Sequence, residues 1–217
     1  MRAFDPSTRT LLKSAVALAA ASLSGVVRAQ SKPPEAGTDY RLVSPAQPTE
    51  SPGKIEVIEF FWFGCPHCNA LEPVLNDWVK RIPADVAFRK VHVPFNEVRH
   101  QQLYYTLDSM GKTADLDAKV FAGIHVERNR LDSLDKMVDY LGKFGVDRKV
   151  FSETFESFSV QTKMRKANAV AAAFKVDSVP LLGVNGKYLT APSMAGSNAN
   201  TLSVVDYLID LERKAHK

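Results

Sequence analysis

The sequence predicts an α/β protein in which a block of helices interrupts a strand-containing region. Runs of β-branched and aromatic residues at 55–63 and 86–93 flank a stretch with helical spacing of apolar residues. Residues 97–158 then show helical spacing only, and a helix, a hairpin and a last helix complete the chain. The strand–helix–strand order indicates a right-handed crossover between two parallel strands.

Residues 1–29 have the pattern of a secretory signal peptide. Basic residues at the start precede an apolar run from Ser14 to Val27, and small residues, Val27 and Ala29, occupy positions −3 and −1 before Gln30. The run is shorter than the roughly 20 apolar residues that span a membrane. We therefore expect cleavage after Ala29 and export, with an uncleaved anchor or an ordinary amphipathic helix as the alternatives.

Removal of this segment changes the charge balance. The whole chain has 28 basic and 24 acidic residues, a net charge of +4, whereas residues 30–217 hold 24 and 23. The basic excess therefore does not indicate a nucleic-acid partner. The remaining 188 residues suffice for one domain, or one domain with an insertion, and need no disulfide for stability.

Local signals place the individual elements. Residues 30–53 form a leader rich in Pro, Ser, Thr and Gly, with partial order expected around residues 40–43. The apolar run 55–63 alternates little, which is typical of a central strand covered on both faces. Apolar residues recur at helical spacing after Cys65, so a helix begins there, with a kink expected at Pro73.

The second half of the chain follows the same logic. A strand at 86–93 stops at Pro94, and three or four short helices with glycine stops fill residues 97–158. A helix around 164–174 precedes a hairpin at 179–189, whose turn is Asn185-Gly186. A terminal helix covers the apolar residues from Leu202 to Ile209.

The two cysteines of the chain lie together in Cys65-Pro66-His67-Cys68. This spacing brings two thiols within bonding reach, so they either form a disulfide with each other or hold a soft metal. At a helix N-terminus, unpaired N–H groups and the helix dipole stabilise the Cys65 thiolate, and Pro66 suits the first turn. His67 adds a donor or a positive charge, although a solvated loop histidine is its alternative. Cys68, one turn further, is the expected resolving thiol.

Val179-Pro180 is a candidate substrate-binding element. A proline that opens a strand cannot donate to the sheet, and an X-Pro bond is the one place where a cis peptide costs little. A cis bond would turn the Val179 backbone outward, where it could pair with an extended substrate chain. Sequence alone favours the ordinary trans bond.

A third candidate group consists of charged residues. Glu59 shares a strand face with apolar residues, where a carboxylate is costly to bury, and Lys90 lies on the neighbouring strand. A buried acid near the cysteines could relay a proton as the thiolate leaves or returns. The alternative is an edge acid paired with a lysine. Glu72, four residues after Cys68, is a further candidate, although a solvated helix acid is the more common situation.

Several stretches of the sequence together resemble the DsbA family of periplasmic thiol–disulfide oxidoreductases: Ile58-Glu59-Phe60-Phe61, Cys65-Pro66-His67-Cys68, Lys90-Val91-His92-Val93, Val179-Pro180 and Val184-Asn185-Gly186-Lys187-Tyr188. The resemblance implies a thioredoxin fold with an inserted all-helical domain. It assigns 54–96 and 160–217 to the thioredoxin-like domain and 97–159 to the helical insertion. It also implies a cis bond at Pro180.

The same resemblance implies a function. Cys65 would be the nucleophile, Cys68 its resolving partner, and Glu59, Glu72 and Lys90 the charged residues near the pair. The protein would be a periplasmic dithiol oxidase acting on unfolded exported proteins with free cysteines. A membrane protein similar to DsbB would reoxidise it, and we expect a monomer without a cofactor or a metal ion.

Three alternatives differ in class. A periplasmic isomerase or reductase resembles a thioredoxin domain behind a dimerisation domain, for which the 24 residues of the leader are too few. A metal-binding module would use the two cysteines with His67 or His92, but a second ligand pair is missing. A cytoplasmic glutathione-dependent isomerase of similar architecture would lack both the cysteine pair and the signal peptide.

Overall fold

A five-stranded mixed sheet forms the centre of the structure. Its strands, in chain order, are β1 (Arg41–Leu42), β2 (Ile55–Phe61), β3 (Val86–His92), β4 (Leu181–Val184) and β5 (Tyr188–Thr190). They lie side by side in the order β1-β5-β4-β2-β3. The pair β2–β3 is parallel, as the crossover predicts, and the other pairs are antiparallel.

The structure is a computed structural model and describes residues 32–215. The predicted signal peptide and its cleavage after Ala29 lie outside the described residues. The helices are α1 (Pro66–Val79), α2 (Val98–Ser109), α3 (Thr113–His125), α4 (Leu134–Gly142), α5 (Arg148–Phe155), α6 (Phe158–Ala173), α7 (Pro192–Ala195) and α8 (Asn198–Ala215). None of these helices is long and apolar enough to cross a membrane.

Strand β2 is the central strand that the apolar run predicts. All seven of its residues are buried, and it pairs with β3 on one side and β4 on the other. It ends at Phe61, two residues before the predicted end. Its register with β3 places Glu59 directly beside Lys90, so the two candidate charged residues are neighbours in the sheet.

Two hydrophobic clusters hold the helices in place. Val57 of β2 packs in one cluster with residues of α1 and α8, where the Trp78 indole N–H also donates to Asp206 Oδ1 at 2.8 Å. The other cluster joins Ile58 and Phe60 of β2 to the apolar faces of α2–α6. Helix α1 runs without interruption past Pro73.

The helical block comprises α2–α5, which agrees with the predicted three or four helices. Gly111 and Gly145 follow α2 and α4 with φ values of 66° and 77°, as the glycine stops predict. The side chains of Ser133 and Asp147 cap α4 and α5 by accepting backbone N–H groups. The predicted boundary at 159/160 falls in the first turn of α6, and the division into two domains stays a prediction.

The hairpin β4–β5 turns at Asn185 and Gly186, as predicted. Both have positive φ, 49° and 68°, and the Val184 carbonyl accepts from the Lys187 N–H at 3.0 Å. A side chain at Gly186 would place its Cβ 1.9 Å from the Gln47 carbonyl oxygen, so only glycine fits. Within the leader, β1 adds an edge strand to β5, which places partial order where the sequence predicts it.

Candidate functional site

The two sulfur atoms lie where β2 gives way to α1. Cys65 is the N-cap residue of α1, with extended backbone angles and no side-chain capping bond, and Pro66 is the first helical residue. This leaves the first N–H groups of the helix free to face the Cys65 sulfur. Both cysteines are free thiols; Cys65 is 7% exposed, Cys68 is fully buried and His67 is exposed.

The surroundings shift the pKa values of the two thiols in opposite directions. The pKa of Cys65 is lowered to about 6, first by hydrogen bonding from the Cys68 thiol. The backbone N–H groups of Cys68 and His67 and the charge of His67 add to this, while burial opposes it. Burial raises the pKa of Cys68, and its contact with Cys65 raises it further. Near neutral pH the pair therefore consists of a nucleophilic thiolate and a protonated partner.

The Val179-Pro180 peptide bond is cis, as the family resemblance implies and contrary to the expectation from the sequence alone. Pro180 is buried, and the Val179 carbonyl oxygen lies 3.5 Å from Cys65 Sγ. The structure therefore brings the second predicted element into contact with the nucleophile. The edge that Val179 presents there can pair with an extended chain bound at Cys65.

Lys90 holds the charged cluster together. Its Nζ lies 3.5 Å from Glu59 Oε2, contacts the Glu72 carboxylate, and lies 3.5 Å from Asp117 Oδ2. Glu59 is fully buried on a central strand, so the interpretation as an edge acid is wrong. Glu72 is also buried, so the alternative of a solvated helix acid is wrong as well.

Burial controls protonation in this cluster. It raises the pKa of Glu59 to about 7 against the attraction of Lys90, and raises the pKa of Asp117 to about 7 for the same reason. Burial disfavours the Lys90 ammonium, but the attraction of Glu59, Glu72 and Asp117 outweighs this and raises the pKa of Lys90. Lys90 is therefore a permanent cation among carboxyl groups that exchange protons near neutral pH.

Sequence reasoning did not find Asp117. Its local signal was its position one turn before Phe121, which is buried, on a helix whose apolar residues face the core. An acid on that face needs a cation, and Lys90 supplies it from a strand 27 residues earlier.

Two histidines near the active-site loop were also missed as positioning residues. The Phe63 N–H donates to His92 Nε2 at 3.1 Å, and the Phe63 carbonyl accepts from His125 Nε2 at 2.7 Å. Burial lowers the pKa of His92 well below its usual value, which keeps this ring nitrogen available as an acceptor. The backbone two residues before Cys65 is thus held from both sides.

A metal site would require ligands that converge. Among residues 32–215, no group of three or more His, Cys, Asp or Glu side chains is arranged to hold a metal ion. His92, a candidate ligand in the metal-binding alternative, uses Nε2 for the Phe63 N–H.

Comparisons with known proteins agree with this geometry. The family model of the DSBA-like thioredoxin domain matches residues 56–203. The thiol:disulfide interchange protein DsbA of Bordetella parapertussis is 43% identical over 211 residues, which cover 96% of this chain and 99% of that protein. DsbA of Pseudomonas aeruginosa is 42% identical over the same share of both chains. The crystal structure of Pseudomonas aeruginosa DsbA superimposes with a TM-score of 0.81 at 41% identity, covering 84% of this chain and 96% of that one. The chain therefore belongs to the DsbA family of thiol–disulfide oxidoreductases, with a thioredoxin fold and a helical insertion.

Proposed function

We propose that this protein is the dithiol oxidase that introduces disulfide bonds into newly exported proteins through Cys65 and Cys68. The opposite pKa shifts of the two sulfurs are the observation that carries the proposal. A stabilised Cys65 thiolate favours the reduced form of the pair, as in other members of this family. The disulfide form is therefore a strong acceptor of electrons from substrate thiols.

The exchange proceeds in two displacements. A substrate thiolate attacks Cys65 Sγ of the Cys65–Cys68 disulfide, a mixed disulfide forms, and Cys68 leaves and takes up a proton. A second substrate thiolate attacks the substrate sulfur of the mixed disulfide, and Cys65 leaves as a thiolate. The substrate has then lost two electrons to the enzyme pair. The Val179-Pro180 edge supports the substrate backbone during both steps.

The charged cluster supplies the proton that the Cys68 thiolate takes up when it leaves; its members are Glu59, Lys90 and Glu72. The charge of Glu59 acts on the pKa of Cys68, so the carboxyl group lies within electrostatic reach of the leaving sulfur. Its raised pKa makes it a proton donor near neutral pH, which suits a general acid. Lys90 and Glu72 hold the Glu59 carboxyl in place, and Pro66 and His67 shape the environment of the Cys65 thiolate.

The proposal also includes the location of the protein and its partners. The signal peptide pattern at residues 1–29 and the family membership support the periplasm as the location, with Ala29 as the last residue removed. The substrates are unfolded exported chains with free cysteines. A membrane reoxidase similar to DsbB returns the pair to the disulfide, and the enzyme acts as a monomer.

Thiolate absorbance of the reduced protein against pH tests the electronic basis of the proposal. We expect a midpoint near pH 6 for Cys65, and a higher midpoint in Cys68→Ala, because the largest stabilising hydrogen bond is lost. A midpoint close to that of free cysteine, about 8.5, in the wild-type protein would remove the proposal.

Trapping tests the substrate class. In Cys68→Ala, the Cys65 thiolate can still attack a disulfide of an exported protein and displace one of its thiolates, and no Cys68 thiol is present to reverse the resulting mixed disulfide from within the enzyme. We therefore expect long-lived covalent complexes with exported proteins when the variant is produced in a cell that secretes them. Cys65→Ala is the matched control and should form none. Equal yields of complexes from both variants would contradict the assignment of Cys65 as nucleophile.

A further inference from the structure

One carboxyl group of the charged cluster comes from the helical insertion. Asp117 lies in α3, and its Oδ2 is 3.5 Å from the same Lys90 Nζ that faces Glu59. Its side chain is 13% exposed, whereas that of Glu59 is not exposed at all. Asp117 Oδ1 and both carboxyl oxygens of Glu59 are buried and have no hydrogen-bond partner within the described residues. Two carboxyl groups with spare acceptor capacity thus flank one ammonium group.

The charges in this cluster do not balance. Among residues 32–215, Lys90 is the one cation in contact with the carboxyl groups of Glu59, Glu72 and Asp117. Full ionisation would leave two uncompensated negative charges in a site shielded from water, so at least one carboxyl group keeps its proton near neutral pH. The pKa values of Glu59 and Asp117, both raised to about 7, make these two the groups that hold protons in this range.

Glu59 and Asp117 differ in their access to solvent. A cavity of about 800 Å³ lies between β3 and the insertion, and both Lys90 and Asp117 line it. Glu59 and Glu72 are not among its lining residues. Other titratable and charged groups also line the cavity, from the leader, the end of α1, β3, α2 and α6: Glu50, Lys80, Arg89, Tyr104, Tyr105, Asp108, Lys163 and Lys166. Arg89 and Lys166 pair with Glu50, and Lys163 pairs with Asp108, so Asp117 is the cavity carboxyl group that contacts Lys90.

We propose that Asp117 is the outer proton-exchange residue of the active site and passes protons between the water of this cavity and Glu59. The inference rests on the proposed function, because it concerns the proton that Cys68 takes up when it leaves. Asp117 does not touch the sulfur atoms and acts through Lys90 and Glu59, so it is a positioning and relay residue.

The proton balance closes without any further reactant. When the substrate thiolate attacks Cys65, Cys68 leaves as a thiolate and takes the proton of Glu59. In one concerted exchange, the Lys90 ammonium passes a proton to the Glu59 carboxylate while it receives one from the Asp117 carboxyl group, so Lys90 stays a cation throughout. Asp117 then takes a proton from water in the cavity, so each mixed disulfide formed draws one proton from solvent. The reverse sequence returns it on reoxidation.

The rate of dithiol oxidation against pH tests this role. The oxidised protein is mixed with a small dithiol between pH 5.5 and 8.5, and the rate is corrected for the thiolate fraction of the dithiol. In Asp117→Asn we expect a loss of about tenfold at pH 8, less than the roughly 10²–10⁴-fold contribution of a direct general acid, because Asp117 acts through Glu59. The loss should shrink towards pH 5.5, which lies below the pKa of Glu59, because Glu59 then already carries its proton before the exchange begins. Asp115→Asn, an exposed acid on the same helix, is the matched control and should follow the wild type.

Two results would overturn the role of Asp117: a profile of Asp117→Asn that superimposes on the wild type, or a loss of equal size at every pH. If the wild-type protein itself fails to oxidise the dithiol, the proposed function fails instead. Infrared titration of the wild-type protein gives a readout that needs no substitution. Two buried carboxyl bands should titrate near pH 7, and a single such band would also overturn the inference.

Discussion

Burial has the same chemical effect on Cys68 and Glu59. Both are acids, and loss of hydration raises the pKa of each, so both hold protons near neutral pH. Cys65, although little exposed, differs because hydrogen-bond donors surround its sulfur. A single residue type thus behaves as an anion or as a neutral thiol according to which groups its sulfur contacts.

At Glu59 this arrangement should reduce stability. The folded-state pKa of about 7 lies above the ordinary value of 4.5, so the native state binds the proton more tightly than the unfolded chain. The free energy of unfolding therefore falls as pH rises through this window. Between pH 4.5 and 7.5, we expect the free energy of unfolding to fall by about 2–3 kcal/mol less in Glu59→Gln than in the wild-type protein. Urea unfolding at several pH values measures this difference.

Glu56→Gln provides the contrast on the same strand. The Glu56 carboxylate is equally buried but accepts the Glu50 N–H at 2.8 Å and pairs with Arg89 at 3.2 Å. Its loss should destabilise the protein at neutral pH by about 1.5–3 kcal/mol. A Glu59→Gln variant that loses stability at pH 7.5 to the same degree would show that Glu59 contributes a net favourable ion pair.

At the scale of elements, the site is assembled by four segments that meet at one end of the sheet. The short connection from β2 to α1 aims Cys65, and the cis bond before β4 brings the Val179 carbonyl to it. The register of β2 with β3 aligns Glu59 with Lys90. Helix α3 completes the cluster from the insertion. The cysteine and Val179 contributions depend on where a segment begins or ends, whereas the charged cluster depends on strand register and on the packing of α3.

The turn of the β4–β5 hairpin should be sensitive to substitution for this reason. Gly186→Ala combines a positive φ with a Cβ that would overlap the Gln47 carbonyl, and backbone atoms cannot move aside as a side chain can. We expect a loss of about 2 kcal/mol or more in the free energy of unfolding. Gly142→Ala, at the exposed end of α4 with open space around it, should be neutral or stabilising by up to about 1 kcal/mol. Equal effects at both glycines would show that the leader backbone at Gln47 moves aside and makes room for the added Cβ at position 186.

At the scale of the whole molecule, the redox state of the cysteine pair is linked to the stability of the fold. The reduced protein contains the Cys65 thiolate, which the native structure stabilises and the unfolded chain does not. The disulfide form lacks this contribution. We therefore expect the enzyme to fold more stably after it has accepted electrons, which is the thermodynamic basis of the oxidising strength that we propose.

This linkage predicts a pH dependence for the difference between the two forms. The folded pKa of Cys65, about 6, lies below the ordinary value of 9.0, so the stabilisation of the reduced form is lost as pH falls through 6 and grows as pH rises. Melting temperatures of the reduced and oxidised proteins should therefore diverge between pH 6 and 8, with the reduced form higher. A constant difference over this range would contradict a thiolate as the source.

The comparison of sequence with structure shows which features local patterns can predict. The strands β2 and β3, helix α1 and the hairpin turn have strong periodicity or a strong turn signal, and the structure confirms them. The cysteine spacing predicts the reacting atoms, and the structure places both sulfurs at the start of α1 with opposite pKa shifts. The two-residue strand β1 and the four-residue helix α7 are too short to show periodicity, and only pairing and packing define them.

The charged cluster marks the limit of such patterns. The burial of Glu72 depends on the Lys90 side chain reaching α1 from β3, and the role of Asp117 depends on how α3 packs against the same point. The residues around Glu72 and Asp117 do not indicate which cation each carboxyl group contacts; the position of Asp117 one turn before Phe121 indicates only that its helix face is buried. A helix acid is usually solvated unless a distant cation compensates its burial, and the cation could be found only in the folded chain.

The two imidazoles that hold Phe63 have a mechanical consequence. One belongs to the sheet and the other to the insertion, so the peptide segment just ahead of the nucleophile is fastened to both halves of the fold at once. A bound polypeptide that pushed the helices away from the strands would pull directly on that segment. A shift of the helical insertion away from the sheet would therefore also move the Cys65 sulfur.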